Sequence, residues 1–192
     1  FFITEKLAER DARHKRMGDS RYVVEPNLKE GKGGLRDLHT LFWIGKYIHR
    51  VHSVADLVER GLLTKSELRQ FQKAENFLWA VRCHLHTLTG RPEERLTFDV
   101  QREIAARMNY ADRPGRSAVE RFMQHYFLIA KQVGDLTGVF LAHLDEKFAA
   151  RGSRFGFPQL FRRPRKLKGF RLDRQRLALP NDGFFRDDPV RL

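Results

Sequence analysis

Residues 25–37 read EPNLKEGKGGLRD. Three glycines, three cations (Lys29, Lys32, Arg36) and three carboxylates (Glu25, Glu30, Asp37) crowd behind one proline. Just upstream, Tyr22-Val23-Val24 favours extended chain and Pro26 ends it. That predicts a short β-like segment near residues 21–25, with Glu25 at its end. Downstream the texture changes. From Leu35 the apolar residues Leu38, Leu41, Phe42, Tyr47 and Ile48 recur at helical spacing. The stretch is therefore the passage into a helical region, which makes the fold class mainly α.

The helical signals continue on both sides. Residues 2–17 read as a helix stopped by Gly18. Ser53 is the expected cap of a short helix ending at Gly61. Thr64-Lys65-Ser66-Glu67 is a capping box, in which threonine and glutamate each satisfy a free amide of the other. It opens a helix to about Thr89, where Gly90 and Pro92 end it. Asp99 is the expected cap of a helix over 100–108. Ser117-Ala118-Val119-Glu120 is a second capping box and opens a helix over about 118–150. Phe122, Tyr126, Ile129, Val133, Leu136, Phe140, Leu144 and Phe148 form its apolar face. Long amphipathic helices bury such faces against one another, so an antiparallel helical bundle is the expected architecture. Trp43 and Trp79 fall within the stripes and are read as core.

Beyond Arg151 glycine, proline and arginine dominate, and the extension is expected to be irregular. Phe170–Leu172 and Leu177–Leu179 alternate weakly and fit a small hairpin. Asp187-Asp188-Pro189 reads as a helix start. The expected division is 1–34, 35–150 and 151–192.

The sequence has 192 residues and a formal charge of +13. Residues 1–150 hold 25 basic and 20 acidic side chains, and residues 151–192 hold 12 and 4. The excess is concentrated in the extension. It favours anionic partners. One cysteine, Cys83, excludes an intrachain disulfide and fits a reducing cytoplasm. No continuous apolar run approaches the length of a bilayer span. The opening Phe1-Phe2 predicts further sequence upstream.

Glycines before a helix can turn free N–H groups toward a phosphate. Gly33 and Gly34 stand there, with Lys29, Lys32 and Arg36 as nearby charge. Glu25 could join other carboxylates around a divalent ion. The same residues also suit a plain turn into a helix with solvated charges, and the pattern matches no P-loop or dinucleotide fingerprint.

The stretch EPNLKEGKGGLRDLHTLFWIGK resembles the central region of the bacterial bifunctional PII uridylyltransferase/uridylyl-removing enzymes. The resemblance continues through GLLTKSELRQFQKAENFLWAVRCHLHTLTGRPEERLTFDVQREIAARMNY and AVERFMQHYFLIAKQV, covering nearly all of residues 1–148. FFRDDPVRL resembles the entry to the family's phosphohydrolase domain. The resemblance implies a helical domain with the last edge of a nucleotidyltransferase attached at 1–34. It implies a basic linker toward the hydrolase at 151–192. It further implies transfer of uridylyl from UTP to a tyrosine of the PII signal protein, Mg2+ as cofactor, cytoplasmic location and glutamine as effector through domains outside this sequence. Glu25 would be the third metal-binding carboxylate of the transferase. Lys29, Lys32, Gly33, Gly34 and Arg36 would face the nucleotide. The transferase's glycine-serine and paired-aspartate motifs and the hydrolase's His-Asp signature are absent, so the chain by itself is expected to be inactive.

Other features read plainly. His84 and His86 lie two apart on a helix and point in different directions, which does not make a metal site. Arg91, Glu93, Glu94 and Arg95 form a charged corner between helices. Arg162–Lys168 is a basic run in a linker. Two rival functions remain at this point. One is a basic helical nucleic-acid-binding module, weakened by the lack of any base-reading motif. The other is a docking scaffold for PII that never touches nucleotide.

Overall fold

A computed structural model describes residues 1–150 and the backbone of 166–167, 170–173 and 176–178; side chains are described through residue 144. Six helices lie in the first part: α1 Phe2–Arg16, α2 Leu35–His49, α3 Asp56–Glu59, α4 Lys65–Thr89, α5 Phe98–Arg107 and α6 Ala118–Ala150. The chain divides into two compact units, Phe1–Ser153 and Arg154–Leu192.

Both capping boxes form. Thr64 Oγ1 accepts from Glu67 N at 3.2 Å while Glu67 Oε2 accepts from Thr64 N at 2.6 Å. Ser117 and Glu120 repeat the exchange at 3.2 and 2.7 Å. Each box supplies acceptors for N–H groups a helix start leaves free. Gly90 closes α4 in the left-handed region at φ +64°.

The core gathers on α6, which packs against α2, α4 and α5. Phe122, Tyr126, Ile129, Ala130, Val133, Leu136, Phe140 and Leu144 are buried along one face. Leu38, Leu41 and Ile44 of α2 and Phe71, Leu78, Val81 and Leu85 of α4 are buried in the same core. Each such side chain contributes roughly 1.5–3 kcal/mol on burial. By length and a mean hydropathy of 1.2, Ala118–Leu144 would also suit a membrane span. Its apolar face is instead taken up by the other helices. Phe148 lies outside the described side chains.

Three expectations need correction. Residues 21–25 form no strand. Tyr22 and Val24 are 61% and 59% exposed, and no neighbouring strand takes up their backbone groups. Pairing occurs further on, at an isolated antiparallel bridge between Asn27 and Arg95. There Leu28 N donates to Glu94 O at 2.8 Å and Leu96 N to Pro26 O at 2.9 Å. Neither expected single-residue cap stands at its helix: Thr97 rather than Asp99 is at the N-cap of α5, and Ala55 rather than Ser53 at that of α3. Trp79 is 39% exposed rather than core. It and Trp43 flank His39, with Arg82 over one indole at 4.9 Å and Arg36 over the other at 5.5 Å. Cations over the ring faces let both indoles stay at the surface.

In the second unit, β1 Lys166–Leu167, β2 Phe170–Asp173 and β3 Arg176–Ala178 form an antiparallel sheet in the order β1-β2-β3. Leu172 pairs with Leu177, as the weak alternation predicts. Asp187–Pro189 and most of the basic run lie outside the described residues.

Candidate functional site

The glycine stretch builds a tight internal turn. Asn27 Oδ1 accepts from Lys29 N and Glu30 N at 3.1 and 2.6 Å. Gly34 N donates to Gly31 O, Leu35 N to Leu28 O and Arg36 N to Lys29 O, all at 2.9–3.0 Å. Gly33 N donates to Asp37 Oδ2 at 2.8 Å. The amides at the start of α2 are thus satisfied by the turn itself, unlike the free N–H groups expected from the glycines. Gly33 has a different job. Its φ is +86°, and a Cβ there would lie 2.5 Å from Ala130 O. Glycine lets the loop press directly onto α6.

Asp37 is the node that locks this arrangement. It is buried in the first turn of α2. Arg13 Nη2 donates to its Oδ1 at 2.7 Å, and His14 Nε2 lies 2.9 and 3.0 Å from its two oxygens. An ionised carboxylate accepts but cannot donate, so Nε2 carries the hydrogen. Burial pushes the Asp37 carboxyl up, but the bonds from His14 and Gly33 and the charges of His14 and Arg13 outweigh it. The net shift is downward. Tyr126 of α6 is pushed the opposite way by burial and by the Asp37 charge.

Beside this node lies a cleft of about 420 Å³. The end of α1 lines it with Arg16 and Met17, and the following loop with Ser20, Arg21 and Glu25. Gly31 and Lys32 of the turn, Arg95 and Tyr126 complete the wall. The predicted residues divide here. Glu25 and Lys32 reach the cleft, while Lys29, Gly33, Gly34 and Arg36 do not line it. Lys29 and Arg36 instead stand near His39. Burial lowers the pKa of that imidazole, and the charges of Arg36, Arg82 and Lys29 lower it further.

Partners define what each residue is free to do. Glu25 Oε1 accepts from Phe98 N at 2.9 Å, so it caps α5 from far away in sequence. Its Oε2 lies 3.7 Å from Arg95. Lys32 Nζ donates to Asp19 Oδ1 at 2.6 Å. Arg36 is held by Glu30 at 3.0 Å. Among the described residues no group of three His, Cys, Asp or Glu side chains could hold a metal ion. With Glu25 alone, already engaged by an amide and an arginine, the donors here do not make a Mg2+ site by themselves. In the charged corner, Glu94 is gripped by Arg82 at 2.6 and 2.9 Å, which ties α4 to the segment paired with Asn27.

Sequence reading missed Arg16, Arg21 and Tyr126. One local signal pointed to them. α6 carries two mid-helix glycines, Gly134 and Gly138; an added Cβ would meet open space at 138 but not at 134, where a packing reason is called for. The guanidinium of Arg21 supplies it, since a Cβ at 134 would lie 2.4 Å from Arg21 Nε.

The family model described as GlnD PII-uridylyltransferase matches residues 1–141. The chain is similar to proteins named "Bifunctional uridylyltransferase/uridylyl-removing enzyme". It is 64% identical over 191 residues to that of Novosphingobium aromaticivorans and 62% over 192 residues to that of Erythrobacter litoralis. The match to the Rhodospirillum rubrum protein is 56% over 191 residues. All of this chain is covered in each case, against 21%, 21% and 20% of the relatives. The chain therefore spans about a fifth of the length of the curated relatives it matches. No solved structure matches it. The chain belongs to the GlnD PII-uridylyltransferase family.

Proposed function

We propose that this chain is the helical part of a cytoplasmic enzyme that moves uridylyl groups from UTP to the PII signal protein and removes them, in the control of nitrogen metabolism. The observation that carries the reading is the 64% identity along the whole chain to a relative named for both activities. It favours an enzyme over a nucleic-acid-binding module. In this reading residues 1–34 close the transferase, 35–150 form the helical domain and 151–192 lead toward the hydrolase. Glutamine acts through parts outside these residues.

In transfer, a tyrosine oxygen of PII bonds to the α-phosphorus of UTP, and the bond to pyrophosphate breaks. Removal adds water across the resulting phosphodiester. Residues 25–36 lend side chains to the first reaction. Glu25 contributes one carboxylate to a site whose other carboxylates, and any Mg2+ they hold, need residues beyond this chain. Lys32 faces the same cleft. Lys29 and Arg36 present charge from the His39 side of the turn, while Gly33 and Gly34 set the backbone that carries all four.

Glu25→Gln in the whole enzyme tests this. Glutamine keeps an oxygen to accept from Phe98 N, so the cap on α5 and the fold survive. Transfer should fall by roughly a hundredfold or more, as for loss of a charged group from a metal-dependent site. Removal should be unchanged. Transfer at the normal rate would reduce Glu25 to a helix cap and leave the chain a docking scaffold for PII.

A further inference from the structure

The seam between α2 and α4 exposes an aromatic face. His39 and Trp43 stand one turn apart on α2, and Trp79 joins them from α4. The ring centroids of Trp43 and Trp79 lie 5.8 and 6.4 Å from that of His39. Trp79 is exposed, and Trp43 and His39 are half-buried. Cations flank each indole. Arg82 lies 4.9 Å from the centre of the Trp79 ring, while Arg36 and Lys6 lie 5.5 and 5.6 Å from that of Trp43.

The face also carries more cations than carboxylates. Arg36, Arg82 and Lys29 all bear on His39, against Glu30. Glu30 is shared between Arg36 and Arg13, and Glu94 between Arg82 and His86. Lys29 has no ion-pair partner among the described residues. Both arginines grip their carboxylate through Nε and Nη2. That leaves the Nη1 of each without a hydrogen bond among the described residues. A guanidinium fixed in this way presents its remaining donors in a set direction to a second oxyanion.

We propose that this face docks an acidic segment of the protein that receives the uridylyl group, a partner that rests on the transfer reading above. Carboxylates of the segment meet Arg36, Arg82 and Lys29, and a neighbouring apolar side chain packs on the exposed edge of Trp79. Tryptophan and arginine are the side chains that most often anchor such contacts. Two features select a protein that binds and leaves. Permanent interfaces are largely apolar, whereas ion pairs and cations over the rings keep this face stable when bare. Single-stranded nucleic acid needs free ring faces for its bases, and here cations already stand over both indoles. Carboxylates reach the Nη1 groups without displacing them. The position also fits. Lys29 and Arg36 belong to the same turn as Lys32, which lines the cleft with Glu25, so a protein held on this face meets that turn from its other side.

Hydroxyl-radical footprinting of the whole enzyme, alone and with saturating PII, tests it. Trp79 and Trp43 should be oxidised in the enzyme alone and protected roughly threefold or more by PII. Kinetics sharpen the test. Trp79→Ser should raise the KM for PII roughly tenfold, with kcat and the KM for UTP unchanged. Lys6→Glu sets a carboxylate beside Trp43 and should raise the KM for PII about threefold, a difference that shrinks as salt is added. The surface and the transfer reading fail separately. Protected tryptophans without any transfer of uridylyl keep the surface and sink the transfer reading. Tryptophans that PII leaves unprotected overturn the surface whether or not transfer occurs, and so does a parental KM in both variants. Protection already complete in the enzyme alone would make the face an internal contact. Protection by single-stranded oligoadenylate instead of PII would make it a nucleic-acid platform. Either result overturns the proposal.

Discussion

Arg13 and Arg16 lie one turn apart on α1, and Gly33 directly follows Lys32. Yet Arg13 and Gly33 belong to the network on Asp37, while Arg16 and Lys32 border the cleft. Around Asp37 the Nη2 of Arg13, the Nε2 of His14 and the Gly33 amide converge on one buried carboxylate, while Arg13 Nε lies 3.6 Å from Glu30 without a hydrogen bond. A few residues along the chain, Arg16 and Arg21 line the cleft with no ion-pair partner among the described residues, and Arg21 Nε is buried without an acceptor. The contrast separates side chains this fold needs to stand from side chains it does not. A shared buried carboxylate organises a structure, whereas a guanidinium without an ion pair adds little to it.

The largest effect should come from breaking the closed side. Asp37→Ala leaves Arg13 charged and buried and strands the Gly33 amide. Unfolding in urea should show a loss of roughly 3–5 kcal/mol. A loss below about 1 kcal/mol would mean that the node is not what fixes the loop to α1. The same carboxylate predicts a pH dependence. Its folded pKa is depressed. Its contribution is therefore complete above the unfolded value of about 3.9 and disappears as pH falls through the folded value. Stability should drop as pH is lowered below about 4, and Asp37→Asn should flatten that drop.

Gly33→Ala tests the seam between the two regions. The backbone angle of +86° alone costs about 1–3 kcal/mol for a side-chain-bearing residue, and the contact with Ala130 adds to it. The loop should lift from α6, so the melting temperature should fall. A variant of unchanged melting temperature would show that the loop rides on α6 without pressing on it.

What the sequence made legible follows from range. Capping boxes, glycine stops and the α6 stripe through Leu144 are relations among residues three or four apart, and these stand in the structure. The mainly helical class followed from them. The 21–25 segment misled because Tyr22-Val23-Val24 has strand propensity without a strand beside it, and propensity yields to the availability of a partner. The site was legible in part. Glu25 and Lys32 reach the cleft, but the amides of Gly33 and Gly34 turned inward to Asp37 and Gly31. Asp37 meets donors 23 and 24 residues away. Arg21 meets Gly134 across most of the domain. No local pattern encodes such pairings; of the two glycines in α6, Gly134 alone bears a trace of one, its contact with Arg21.

The smallest stability change is also the most direct test of the contrast. Arg21→Met keeps an unbranched side chain over Gly134 and removes the charge and its unmatched donor. Equilibrium unfolding should then give a stability equal to the parent or slightly above it, because a guanidinium without an ion pair contributes little to the fold. A loss approaching that of Asp37→Ala would contradict the account, since Arg21 would then be one more structural cation and the cleft no more open than the node beside it.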